Sequence, residues 1–389
     1  MSKVNFNHDH QVCTKCIFDT SIPEISFDAN GVCRYCHQVD SLLNEYGTGQ
    51  AAGEERLDQI LNEIKVSGQN KKYDCIVGVS GGTDSSYMLH WSKKVGLRPL
   101  AVHYDNTWNS EIATMNIARV TKALDVDLYT HVVDNKEMDS IYRAFLKAGV
   151  PAIDIVTDLG FTQVLYKVAK KYGVKIILEG HTFVEEGVSP VGYSYFDGKY
   201  IEDVCKKNGV SKFNTYPIMN FFNFMKWTVF FRIKKYRPYW YMNYSKAAAI
   251  EELRSLYDWK YYGGHHLENR MTAFSYSFHN PQKFGMDQRN NMLCALVRNG
   301  SLKRSDALEI YNKGPQADKD LVEYTIKRLG FTQEEFDSIM SSENKTWEDF
   351  KSYKKLFERL RPVFYILAMA NLVPMSFYLK YCFPIKVPK

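Results

Sequence analysis

An apolar run at residues 73–79 stops at Ser80-Gly81-Gly82-Thr83-Asp84-Ser85, and a helical pattern begins at Asp84. No other stretch restricts the fold as much. Glycines let a backbone approach an oxyanion closely, and the start of a helix supplies unpaired N–H groups and a positive dipole end. The hydroxyls of Ser80, Ser85 and Ser86 can add hydrogen bonds to the same anion. The Gly-Lys-Ser/Thr ending of a Walker A loop is missing, so that class is excluded. The plain alternative is a glycine turn with Asp84 as a helix cap.

The surroundings favour the phosphate loop. Strand candidates at 73–79, 98–104, 128–133 and 175–179 alternate with helical stretches beginning near Asp84, Ser110, Lys136 and Leu159. Strands separated by helices imply βαβ units, hence an α/β fold with a doubly wound parallel sheet. Such sheets bind ligands beyond the carboxyl ends of their strands. The second strand ends at Asp105-Asn106 and the fourth at Glu179-Gly180-His181, which makes these residues candidates for the same site. The chain divides into a cysteine-rich head at 1–40, a linker and helix at 41–71, the sheet domain at 72–187 and a mainly helical region at 188–389.

In the head, Cys13-x2-Cys16 and Cys33-x2-Cys36 stand sixteen residues apart. That spacing suits one tetrahedral zinc held by four thiolates, and a filled shell makes the metal structural. An iron–sulfur centre or chance spacing are the alternatives. Cys75, Cys205, Cys294 and Cys382 are scattered, and Cys75 reads as core. The formal charge is +6. With four thiolates on one zinc it becomes +6 −4 +2 = +4, so charge gives no case for nucleic acid. The first ten residues lack an apolar signal core, and a cytoplasmic protein is expected. Residues 363–379 carry no charge, but Asn371 and Pro374 interrupt them. They read as a buried helix pair rather than a transmembrane span, with a peripheral membrane contact as the alternative. The aromatic-basic run 221–241 suits an RNA surface, a membrane-edge patch or a partner interface.

A third cluster, YYGGHHLENR at 261–270 followed by KFGMDQR at 283–289, crowds His, Glu, Lys, Asp and Arg around glycines. It suits an acidic polar ligand or, equally, a charged loop and a solvated helix start. His265 and His266 are a weak metal signal, because adjacent side chains diverge.

Ser-Gly-Gly-x-Asp-Ser after a strand resembles the signature of PP-loop ATP pyrophosphatases, which split ATP between the α- and β-phosphates. Mg²⁺ is then expected on the triphosphate, with Asp84 and Glu179 as ligand candidates. The whole order of zinc-ribbon head, PP-loop domain, DNTWNSE at 105–111, YYGGHHLENRMTAF and KFGMDQR resembles the N-acetyl sugar amidotransferase family of surface-polysaccharide biosynthesis. Thr107 departs from that resemblance, where glycine is expected after Asp-Asn. The resemblance implies adenylation of the acetamido group on a nucleotide-linked sugar, then displacement of AMP by ammonia to give an acetamidino group. It implies Asp84, Lys283 and Arg289 as catalytic residues. Arg270, Lys283, Asp287 and Arg289 would bind substrate, with Asp287 orienting a cation. Residues 80–86, Asp105, Asn106, Gly180 and His181 would hold ATP and pyrophosphate.

No cysteine stands in a glutaminase setting, so ammonia has to come from elsewhere. The resemblance implies a separate glutaminase subunit and a barrel-type ammonia-channelling subunit. The rival readings are a PP-loop tRNA-thiolating enzyme, which needs a reactive cysteine or an iron–sulfur cluster, and a zinc-ribbon interaction protein with an inactive nucleotide fold.

Overall fold

The computed structural model describes residues 10–190, 195–264 and 267–384. His265, His266 and residues 191–194 lie outside them. Five strands form one parallel sheet in the order β3-β2-β1-β4-β5. They are β1 Cys75–Gly78, β2 Pro99–Asp105, β3 Leu128–Val132, β4 Ile176–Leu178 and β5 Lys234–Tyr236. The first four fall where the sequence predicts them.

β5 does not, because it comes from the aromatic-basic run. A boundary at 187 therefore leaves one strand of this sheet outside the sheet domain. Three residues, Lys-Lys-Tyr, carry no apolar alternation, so packing against β4 rather than local pattern makes them a strand. Glu179, just past β4, receives Lys235 Nζ at 2.5 Å and Arg237 Nε at 3.1 Å. Both cations flank the end of β5, so this ion triad ties the edge strand to its neighbour.

Helices cover both faces. α1 Arg34–Tyr46 and α2 Ala51–Ser67 precede the sheet, and α3 Thr83–Lys94, α4 Glu111–Ala123, α5 Asn135–Ala148 and α6 Ile155–Lys171 alternate with its strands. Ser110 and Asp134 cap α4 and α5 through their side chains. That uses an orphan N–H group at each start. One core, around Ile76, Val102, Phe145 and Tyr166, lies beneath α5 and α6. The other, around Val77, Met88, Ile117 and Leu253, lies beneath α2, α3 and α4.

Apart from β5, the elements beyond β4 are helices: α7 Gly198–Lys207, α8 Phe221–Met225, α9 Lys246–Tyr257, α10 Arg270–Phe274, α11 Asn280–Phe284 and α12 Arg289–Arg298. It continues with α13 Arg304–Asn312, α14 Lys319–Arg328, α15 Gln333–Ser341, α16 Lys354–Arg359, α17 Arg361–Met369 and α18 Met375–Tyr381. The last two form the expected helix pair, turned at Asn371 (φ 54°) and Pro374. Only part of the pair is buried. Phe364 and Ala368 point inward, while Ile366 and Met369 stay exposed. No described helix is long and apolar enough to cross a membrane.

The topology puts β1 and β4 side by side with their crossovers leaving in opposite directions. That is the switch point where open parallel sheets bind ligands. Ser80–Thr83 follows β1 there, and Gly180-His181 follows β4.

Burial alone would raise the Glu179 carboxyl, but Lys235 and Arg237 outweigh it and hold it down to about 2. This carboxylate therefore stabilises the fold fully above its unfolded value near 4.5 and loses the contribution as pH falls toward 2. Glu179→Gln leaves two cations without an anion and should cost about 2–3 kcal/mol near neutral pH. Urea midpoints of both forms between pH 7 and pH 3 should show the gap narrowing on acidification.

Candidate phosphate-loop site and cysteine cluster

The loop is built by close approaches. Gly81 has φ 82°, and a Cβ there would lie 2.2 Å from the Ala113 carbonyl oxygen of α4. No L side chain fits. Asn116 of α4 donates to the Gly81 carbonyl at 3.3 Å and to the Lys260 carbonyl at 2.8 Å, while accepting from Lys260 N. One buried amide thus fixes the loop against the segment before residue 262. Ser85 Oγ accepts from Ser80 N at 3.1 Å, and Ser80 Oγ accepts from Gly82 N at 3.3 Å. The hydroxyls are therefore gathered at the loop, as the sequence suggests. Ser86 is committed elsewhere, since its Oγ accepts from Trp259 Nε1.

Asp84 is the most heavily engaged residue of the loop. Lys246 Nζ reaches one carboxylate oxygen at 2.6 Å, and Tyr244 donates to the other at 2.7 Å. Tyr239 donates to the Asp84 carbonyl at 2.9 Å and stacks on Tyr244 with ring centroids 3.9 Å apart. Burial would push the Lys246 ammonium down, but Asp84 and Glu186 outweigh it and keep its pKa above the lysine norm. A fixed cation therefore stands at the start of α9 beside the start of α3. The first N–H of α9 is taken by Glu185 Oε1 at 3.2 Å, so an anion in this position meets the N-terminus of α3 and an ammonium. Gly180 approaches the same turn, where a Cβ would sit 2.8 Å from the Asp84 carbonyl oxygen. His181 lies nearby with its ring 6.2 Å from that of Trp240, and it pairs with Glu186 at 3.7 Å.

Two distant sequence blocks meet at the loop. Asn109 and Asn269 form an antiparallel bridge. Asn269 Nδ2 donates to Asn106 Oδ1 at 2.9 Å, Ser110 N donates to the Glu268 carbonyl, and Arg270 N to the Trp108 carbonyl. Tyr262 OH accepts from Thr83 N at 3.3 Å. A Cβ on Gly82 would lie 3.2 Å from Glu268 Oε1, so this carboxylate hangs over the loop. Thr107 explains the expected glycine: its φ is 65°, a left-handed conformation that costs a β-branched residue. Arg328 holds it there by donating to its carbonyl and, at 2.8 Å, to its Oγ1.

Several expectations need correcting. Asn106 does not face a nucleotide; it is fully buried and donates to Tyr142 and Thr157. Asp105 accepts from Thr107 N and makes the turn. Glu179 is spent on Lys235 and Arg237, which leaves it a poor metal ligand. Lys283 donates to the carbonyls of Ile339, Met340 and Ser342, a cap on the end of α15 rather than a catalytic group. Asp287 does orient Arg289, as expected, accepting its Nε at 2.9 Å and an Nη at 2.6 Å. The guanidinium, however, goes on to the Ile310 and Tyr311 carbonyls and ties α12 to α13. Arg270 remains next to the meeting blocks, 4.9 Å over the Tyr324 ring. The sequence does not single out Lys246, Tyr244 or Asn116, and it shows Glu268 only as part of the 261–270 cluster. For Lys246 the local signal is Ser245, the helix cap directly before it.

At the other end, Cys13, Cys16, Cys33 and Cys36 are fully buried with their sulfurs within 4.8 Å of one another. Cys33 N donates to Cys13 Sγ at 3.2 Å, as N–H groups do toward thiolate ligands. This set fits a structural zinc. Arg298 of α12 donates to Cys36 Sγ at 3.3 Å and to Cys16 Sγ at 3.5 Å. Arg304 of α13 donates to the Cys13 and Cys16 carbonyls. A guanidinium beside four thiolates offsets the excess negative charge of such a site. Cys16→Ser should remove one zinc per chain by atomic emission and lower Tm, whereas Cys294→Ser should keep the zinc.

No curated protein matches the chain. Among solved structures it resembles an NMN synthetase from Francisella tularensis, at 13% identity over 73% of this chain and 95% of that one, with a TM-score of 0.31. An NH3-dependent NAD synthetase from Campylobacter jejuni subsp. jejuni gives 12% identity, 75% and 97% coverage and a TM-score of 0.27. At these scores the fold assignment stands on the strand order and the loop themselves. Residues 268–361 match the family described as LPS biosynthesis protein WbpG-like, C-terminal domain. That stretch opens with Glu268, Asn269 and Arg270, which zip onto the 106–110 block. Residues 268–361 are thus similar to the C-terminal domain of WbpG-like LPS biosynthesis proteins, in line with the amidotransferase resemblance of the sequence.

Proposed function

We propose that this chain is an ATP-dependent, AMP-forming amidotransferase that converts the acetamido group of a nucleotide-linked N-acetyl sugar into an acetamidino group. The observation that carries the reading is the junction at the loop. The Asp84–Lys246 pair and the glycine cradle meet the first residues of the WbpG-like domain there.

In this reading the acetamido oxygen attacks the α-phosphorus of ATP and pyrophosphate leaves. Ammonia then attacks the imidate carbon, and AMP departs with the former acetamido oxygen. Lys246 and the N-terminus of α3 hold the leaving pyrophosphate, where charge builds up in the transition state. Asp84 fixes the Lys246 ammonium toward the loop, and Tyr244 holds Asp84. Mg²⁺ would neutralise phosphate charge; the acids at the loop that would hold it are Glu268, which hangs over the loop, and Asp84, which would have to share its carboxylate with Lys246 and Tyr244. Arg270, beside the junction, is the remaining candidate for the sugar nucleotide.

Ammonia would arrive from a separate glutaminase through a barrel-type subunit, and a cytoplasmic location follows from a nucleotide-sugar substrate. The thiolating alternative loses ground on its cysteines. Cys205 is fully buried, and burial pushes its thiol up to about 12. That is far from an activated nucleophile.

The test supplies ATP, Mg²⁺, ammonium and a panel of UDP-linked acetamido sugars, and follows AMP together with exchange of oxygen for NH by mass. AMP with at least one sugar is expected, and none with any sugar rejects the reading. Lys246→Met should lower the rate by about 10²–10³-fold, the range for loss of one preorganised charge donor. Asp84→Asn should lower it comparably while zinc content stays constant. Glutamine should not replace ammonium for the isolated chain; efficient glutamine use would overturn the separate-subunit proposal.

A further inference from the structure

α8, the π-helical turn Lys226–Phe230 and α16–α18 share a satellite core. Phe357, Phe364, Val373 and Cys382 are at its centre, with Phe221 and Phe224 packed against them. The Phe224 and Phe377 rings stack with centroids 4.7 Å apart. The inside of this unit is an ordinary packed core. Its outside is not an ordinary surface.

Phe222 is 76% exposed and Phe230 77%, and Ile366, Met369 and Leu379 are each more than half exposed. On α17 the inward residues are Phe364 and Ala368, so the opposite face should be polar. Instead it carries Val363, Ile366 and Met369. Scattered exposed apolar residues are normal, but this concentration on one packed unit is not.

The charges around it are mostly of one sign, Glu358 of α16 being paired with Lys354 at 3.4 Å. Residues 204–250 contain nine Lys or Arg and no Asp or Glu; Lys207, Lys234, Lys235, Arg237 and Lys246 pair with acids outside that stretch, while Lys226 and Arg232 stand beside the patch. Residues 359–389 contain five Lys or Arg and no acid. Lys170 and Lys226 lie 5.3 and 5.9 Å from the Phe231 ring centroid, and Arg361 lies 5.3 Å from that of Phe383. Arg232 is exposed at the corner after Phe230. Cations thus flank the apolar patch at both ends. A bilayer of anionic lipid matches both halves of this pattern, because its interface accepts apolar side chains while its headgroups attract Lys and Arg. A protein partner would need a matching acidic rim, and a second copy would set these cations against each other.

We infer that the α8 and α16–α18 unit docks the chain on an anionic membrane surface without inserting a span. The inference does not depend on the amidotransferase reading. Phe222, Phe230, Ile366 and Met369 enter the interface, and Lys226, Arg232 and Arg361 lie among the headgroups.

The test is co-sedimentation of the full chain with phosphatidylcholine vesicles, with and without phosphatidylglycerol, in low and in high salt. Binding to the anionic vesicles is expected, with loss in high salt and little binding to phosphatidylcholine alone. Phe230→Ser with Ile366→Ser should weaken it at least tenfold, and each of Lys226→Gln and Arg232→Gln about fivefold. These positions are exposed, so Tm should be unchanged. No binding to anionic vesicles in low salt overturns the inference, as does binding that ignores the serine variants. A concentration-dependent dimer abolished by those variants, without vesicle binding, would assign the face to a second copy instead. AMP formation in solution is unaffected by any of these outcomes, which keeps this inference separable from the proposed reaction.

Discussion

The contact between Lys246 and Asp84 joins the two halves of the site. Asp84 sits in the first turn of α3, after the central strand, and Lys246 opens α9, 162 residues later. Each has an otherwise costly position, a carboxylate and an ammonium both largely shielded from water. Together, with Tyr244 donating to the same carboxylate, they satisfy each other. The result sets the N-terminus of α3 and a fixed ammonium side by side. Geometry of this kind is fixed before any ligand arrives, which is the condition for electrostatic stabilisation to contribute to a reaction rather than merely to binding.

Around that contact the molecule is arranged as a series of returns to the same end of the sheet. α4 comes back through Asn116 to grip the loop, residues 268–270 lie against the segment after β2, and Gly180 brings β4 against the first turn of α3. None of these contacts is individually strong. What makes them specific is that several have no substitute, as at Gly81, where any side chain would collide with the Ala113 carbonyl.

The sequence shows the sheet because β1, β2 and β4 are buried on both faces and read as continuous apolar runs between turn signals. It hides β5, since Lys-Lys-Tyr at an edge is chosen by the carboxylate of Glu179 rather than by any local pattern. Ser80–Ser85 is legible because its chemistry is contained in six consecutive residues. Lys246 is not, because its partner is distant in the chain and a lysine after a helix cap is commonplace. Lys283 and Arg289 show the converse error. A cation in a glycine-rich cluster looks like a ligand for phosphate, yet helix carbonyl ends attract the same group. Thr107 illustrates a third case: the departure from glycine was visible, but the compensating hold by Arg328 belongs to a helix more than two hundred residues away.

The cysteine cluster has a consequence for how the chain is made. Its apolar surroundings are completed by Leu293, Cys294 and Ala307, and its charge is met by Arg298. The head therefore leaves the ribosome long before the residues that seal it. Joining segments this far apart costs only logarithmically more than a short closure, so the final state suffers little. The interval does not benefit from that. During synthesis four thiols are in place without their cover, and a metal bound at once is what would keep them from oxidation while the remaining chain follows.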